Sequence, residues 1–316
     1  MKHTLKITII LILIFFFSQL IGLTVINKDI NVVKTPEGKI EVQHPETAIG
    51  PRPEMKPNVS FWYIIGAVLI GTLIVLILVK FRKFNIWKVW FFFAVWLAMT
   101  IAIGVFVDRT VAYVLCFLLA LWKIYRPNIY VHNLTEIFMY TGIALIFVPL
   151  LNVFWAIMLL VAISTYDIYA VWKSKHMIKM AEFQAESNVF AGLFLPYKRK
   201  KVGRKEKTKI EKIKPIKISK VQKKEKETNV AILGGGDIAF PLIFSGVVME
   251  SLIKFDMLSK LNAFLFTLII TFFVTLALIL LFYKSEKGKY YPAMPFLTTG
   301  CLVGYGIVYL LQMIIL

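Results

Sequence analysis

Leu233-Gly234-Gly235-Gly236-Asp237 stands near the start of an otherwise apolar run from about Asn229 to Ile253. A carboxylate in such a run lies at membrane depth, where it costs about 2.5–3.5 kcal/mol on insertion scales and marks a functional site by default. The three glycines before it remove side-chain bulk and let another backbone approach the acid. Glycines alone would read as a helix-packing face, because small residues let membrane helices come close. Packing needs no charge, so the Asp turns the reading towards chemistry.

Composition agrees with the membrane assignment. The 316 residues are 59% hydrophobic and 17% charged, against about 45–50% and about 25% in soluble domains. The net charge of +19 would suit nucleic acid, but the basic residues sit at the ends of apolar runs and in one loop. Anionic lipid head groups are the commoner partner of such a pattern, and no nucleic-acid role is expected. Cys116 and Cys301 lie inside apolar spans, and the four histidines match no ligand spacing. Neither a disulfide framework, a metal site nor a cofactor is expected.

The spacing predicts a single membrane domain over 1–316. Its nine spans lie at about 7–26, 59–79, 87–107, 110–125, 129–150, 152–172, 229–253, 261–283 and 292–314. Each approaches the length needed for a core about 30 Å thick at 1.5 Å per residue, the fourth being short. The first run reads as a retained span rather than a cleaved signal peptide, since it is long and no small-x-small site follows. Residues 27–58, with five prolines, form an external connector. With the N-terminus inside, inner segments hold 29 Lys and Arg and outer ones 8, as the positive-inside rule requires. The 173–228 loop is then cytoplasmic and the C-terminus external. Its first half, Met177 to Leu195, predicts one or two amphipathic surface helices; its lysine-rich second half should be mobile.

Few ionisable residues fall within the spans: His132, Glu136, Asp167, Asp237 and Glu250. Asp167 lies about 9 Å and Asp237 about 13 Å from the inner boundary, on antiparallel helices. Such matched depth is what a facing pair requires. Two acids in one desolvated site cannot both ionise easily, so the pair holds a single proton. One member then activates water while the other polarises a carbonyl, as in aspartic proteases. The acids alone fit a protease, an ion-coupled transporter or two separately satisfied structural carboxyls. Pro292-Ala293-Met294-Pro295 opens the last span on the same side. Two prolines there leave a short non-helical segment, tolerated at depth only where it lines a cavity.

Together, Tyr166-Asp167, Gly234-Gly235-Gly236-Asp237 and Pro292-Ala293-Met294 resemble the presenilin and signal-peptide-peptidase family of intramembrane aspartyl proteases. That family carries Tyr-Asp in its sixth span, Gly-x-Gly-Asp in its seventh and Pro-Ala-Leu at its ninth. The run from Ile168 to Phe190 is similar to presenilin, while Ile238, Pro241, Ile243-Phe244 and Phe255-Asp256 are closer to signal peptide peptidase. The departures are Met294 for Leu and a Gly at 235, smaller than the usual residue. The resemblance implies an all-α, nine-helix, presenilin-like fold with helices six and seven antiparallel. It implies a catalytic pair Asp167 and Asp237, and substrate contacts at Leu233, Gly234, Gly236, Tyr166, Pro292, Ala293 and Met294. The substrates implied are single-span helices, received by β-addition near Val230 to Leu233, and type I in orientation given the charge distribution. Prepilin-type peptidases also carry Gly-x-Gly-Asp, but nine spans and the Pro292 motif speak against them. An inactive scaffold is disfavoured by the intact pair, and the sequence leaves the oligomeric state open.

Overall fold

The computed structural model describes residues 5–34, 40–126, 128–174, 176–187, 189–198, 228–286 and 290–315. Nearly all of the lysine-rich run, and Lys287 and Lys289, lie outside the described residues.

Among the described residues, ten α-helices and two two-stranded antiparallel sheets follow in order. Helix α1 (Leu5–Asp29) leads into an antiparallel hairpin, β1 (Asn31–Lys34) and β2 (Ile40–Gln43). Then come α2 (Pro57–Lys80), α3 (Phe84–Ile103), α4 (Arg109–Tyr125) and α5 (Ile129–Phe147), the last ending in a 3-10 turn. Helix α6 (Val153–Ile168) runs into a π turn, Tyr169–Lys173, followed by α7 (His176–Glu186). Strands β3 (Gly192–Lys198) and β4 (Thr228–Gly234) pair antiparallel. The chain closes with α8 (Gly235–Lys254), α9 (Lys260–Lys284) and α10 (Met294–Ile315). Side chains mark several starts: Asp108, Asn128, Asn152 and Ser259 each accept a first-turn N–H, satisfying donors that a helix leaves unpaired.

Among the described residues, eight helices are long and apolar enough to span a membrane. Helix α4 has 17 residues and is not one of them, yet it runs between the two ends of the bundle. Just after α3, Gly104 lies against Ala48 of the connector, whereas the start of α5 bonds to β3 at the opposite end. Helix α8 is the axis: 72% of its apolar window is buried, against 17% for α2. It is surrounded by α1, α5, α6, α9 and α10. The exposed flank of α2, with Trp62, Tyr63, Leu69, Ile70 and Leu73, is what a lipid-facing helix presents. Gly300 and Gly304, one turn apart, let α10 meet the α9 backbone at Val274 and Ile270, the small-residue packing that membranes favour.

The structure corrects four expectations. The seventh span does not begin at 229: residues 228–234 are strand, and the helix starts at Gly235. Asp237 therefore sits in the first turn of α8 rather than two turns inside a helix. Of the one or two amphipathic helices expected over Met177 to Leu195, α7 is one, and the stretch from Gly192 is strand β3. The 27–58 connector contains a hairpin as well as irregular chain. Lys123, one of the 29 Lys and Arg counted to the inner side, is 4% exposed and ion-paired with Glu136 in the interior.

At the end carrying the connector, Arg52 Nη2 donates to both carboxylate oxygens of Asp29, at 2.9 and 2.8 Å. His44 bridges Asp29 at 2.9 Å to Glu250 of α8 at 3.3 Å. Burial pulls the His44 imidazole down, but its bonds to the two carboxylates outweigh this and leave it above the ordinary value of 6.5. A folded-state value above the unfolded one stabilises fully below the unfolded value and is lost as pH rises through the folded one. Melting temperature should therefore fall as pH rises above about 6.5, and His44→Gln should flatten that slope. Parallel wild-type and variant profiles would rule the clamp out.

Candidate active site

Asp167 occupies the last turn of α6, next to the π turn, and is 5% exposed. A π turn adds one residue to the repeat, and such turns cluster where a side chain must be re-aimed. The Asp167 Oδ2 accepts the Met294 N–H at 3.0 Å, and the Ala293 N–H lies near the same carboxylate. These are orphan donors at the positive end of the α10 dipole. Pro292 lacks an N–H and precedes the helix, while Pro295 lies in its first turn, so only Ala293 and Met294 are left to donate. Three residues before Asp167, Ser164 bonds Thr298 of α10 at 2.7 Å. The two contacts fix α6 to α10.

Asp237 is the third residue of α8, and its carboxylate lies close to the N-cap residue Gly234. This is the position an acid takes in a capping box. The carboxylates of Asp167 and Asp237 lie within electrostatic range of one another, on helices that pack together. Asp237 is half-buried and Gly236 is exposed.

The three glycines differ in what surrounds them. A Cβ on Gly234 would lie 3.2 Å from Asp237 Oδ2, crowding the acid. One on Gly235 would collide with the Tyr140 hydroxyl, which accounts for the small residue there. One on Gly236 would meet only the Phe240 ring, at 3.5 Å. Among the described residues, the space over Gly236 is thus open beside Asp237.

The other expected site residues separate. Leu233 is 3% exposed, packed inward, with its backbone paired to Leu193. The Tyr166 hydroxyl bonds Thr72 of α2 at 3.1 Å and His176 of α7 at 2.9 Å, tying three elements together. Burial holds the His176 imidazole below its usual value.

Three supports were missed. Gln19, buried in α1, donates to the Ile238 carbonyl at 2.9 Å, in the turn where Pro241 interrupts the α8 bond ladder. Its polarity inside an apolar span was the available signal. Tyr140 bonds Glu136 beneath Gly235. Glu136 also pairs with Lys123 and accepts the Gly192 N–H at 2.9 Å. Glu136 stood out as a buried acid, but nothing in its spacing named these partners.

Asp167, buried, and Asp237, half-buried, stand on packed helices of an apolar bundle whose helices are long enough to cross a membrane, which describes a polytopic membrane protein. The profile described as signal-peptide peptidase, presenilin aspartyl protease matches residues 39–314. The chain belongs to that family and is an intramembrane aspartyl protease. Two solved structures of presenilin-family intramembrane aspartate proteases, in C222 and P2 crystal forms, are similar in fold. The first is 19% identical with a TM-score of 0.57, over 96% of this chain and 99% of that one. The second is 19% identical with a TM-score of 0.56, over 95% and 96%. No curated protein matches the chain significantly.

Proposed function

We propose that Asp167 and Asp237 hydrolyse peptide bonds inside single-span helices with one proton shared between them. The observation that carries this reading is the placement of both carboxylates at the α6–α8 contact, beside the open space over Gly236. Asp167, receiving the Met294 N–H at the positive end of α10, holds the negative charge, since charge-assisted bonds favour the anion. It takes a proton from water as the oxygen attacks the scissile carbonyl carbon. Asp237 gives its proton to the carbonyl oxygen, forming a gem-diol. The diol then returns a proton to Asp237 as the C–N bond breaks, and the amide nitrogen leaves carrying the proton held by Asp167. One water is consumed and the pair is restored.

A helical substrate bonds its own peptides, so it must unwind before attack. The β3–β4 sheet has two strands, and its β4 edge leads directly to Gly234 and Asp237. An unwound segment added there gains main-chain pairing, with Met294 holding Asp167 opposite. The Lys and Arg distribution supports an active site opening to the cytoplasm, with type I substrates. A Cys at exposed Glu186 should be protected from an impermeant reagent in intact cells, and one at exposed Glu46 should react. The reverse would invert the orientation. In proteoliposomes, a single-span peptide should yield two fragments summing to its mass plus one water. Passage of solute without fragments would instead favour a transporter.

A further inference from the structure

The outer edge of β3, the side away from β4, is closed by side chains of α5. His132 Nε2 bonds the Gly192 carbonyl at 2.9 Å and Glu136 Oε2 accepts the Gly192 N–H at 2.9 Å. The Asn133 amide bonds both backbone groups of Phe194, each at 3.1 Å. The next outward position is Pro196, which has no N–H to offer. In an antiparallel pair, alternate residues face the partner and the outside. Gly192 and Phe194 face outwards, so Leu193 and Leu195 bond to Leu233 and Ala231. The outward residues of β4 are then Val230, Ile232 and Gly234. Gly234 stands beside the Asp237 carboxylate, and among the described residues nothing bonds the outward groups of Ile232, whose side chain is 43% exposed.

The two edges are not equivalent for chemistry. A strand added outside β4 ends beside Asp237, whereas one added outside β3 lies three strand spacings away from it, about 14 Å. We propose that His132, Asn133 and Glu136 act as a surrogate strand, sealing β3 and anchoring the hairpin. The unwound substrate is thereby confined to β4 in one register. These are positioning residues, and the proposal rests on the strand-addition reading above.

Asn133→Leu keeps the volume and removes both bonds to Phe194. In proteoliposomes with a single-span peptide, it should raise KM roughly fivefold while kcat changes less than about twofold. Mass spectrometry should show new products cut about two residues from the main site, because a two-residue slip preserves which side chains face inward. Asn133→Asp, which keeps the acceptor for the Phe194 N–H, should fall between Asn133→Leu and wild type. Unchanged KM and products in Asn133→Leu would overturn the proposal. So would kcat and melting temperature falling together with products unchanged, which would mark a purely structural residue. Ile232→Pro separates the two layers, since it removes an outward N–H of β4 without breaking a bond to β3. If it cleaves like wild type, strand addition fails and the surrogate strand fails with it. If it raises KM while Asn133→Leu does not, addition stands and the edge seal alone is wrong.

Discussion

Asp167→Asn and Asp237→Asn proteins should each cleave a single-span peptide about 10²–10⁴-fold more slowly than wild type, because each removes a general acid–base partner. Asn keeps the shape of Asp. At 167 its carbonyl oxygen still accepts the Met294 N–H, now bonded at 3.0 Å, so α6 stays fixed to α10. Removing an acid from a desolvated pair also relieves an unfavourable burial of charge. Melting temperatures should therefore hold or rise while activity falls. The Asp167→Ala, Asp237→Ala double variant should be no slower than either single, since groups acting as one unit are not additive. Turnover assays in proteoliposomes and thermal scans in detergent decide it. Wild-type turnover by purified Asp167→Ala, or losses of activity and stability in proportion, would make the acids structural.

The helices and the site were not equally legible. Long apolar runs overlap the helices, with the start at 229 displaced to Gly235. Of the two prolines only Pro292 stands in the irregular lead into α10, while Pro295 lies in its first turn. Chemistry was readable wherever it broke composition, as at Asp167 and Asp237. The strands were not. Val230 to Leu233 is an unbroken apolar stretch leading into a helix, and short runs of that kind do not separate strand from helix by period. Phe190, Leu193 and Phe194 suited a surface helix equally well until their backbone partners were known. The least legible part was the polar network behind the hairpin. Lys123 and Glu136 stand on different helices, and the charge count places the lysine on the inner side. Their pairing is a tertiary fact that no local spacing encodes.

That network has the largest expected effect on stability. Lys123 is 4% exposed and Glu136 fully buried, so their ion pair is shielded from water. Lys123→Met removes the cation and leaves Glu136 charged or forced to take a proton. Breaking a buried pair in this way costs about 3–5 kcal/mol. An exposed pair such as Arg82–Glu186, 3.6 Å apart with both side chains more than half exposed, should cost less than about 1 kcal/mol. Adding Glu136→Gln to Lys123→Met removes the stranded charge. The Gln carbonyl oxygen can still accept from the Gly192 N–H or the Tyr140 hydroxyl. Most of the lost stability should therefore return, to within about 1–2 kcal/mol of wild type. Thermal unfolding followed by tryptophan fluorescence gives the order wild type, double variant, then Lys123→Met. If Lys123→Met alone melts with wild type, water reaches the pair and Glu136 is not the fixed post on which Gly192 and Tyr140 are held. If the double variant is no better than the single, the loss lies in packing around the lysine stem rather than in the stranded charge.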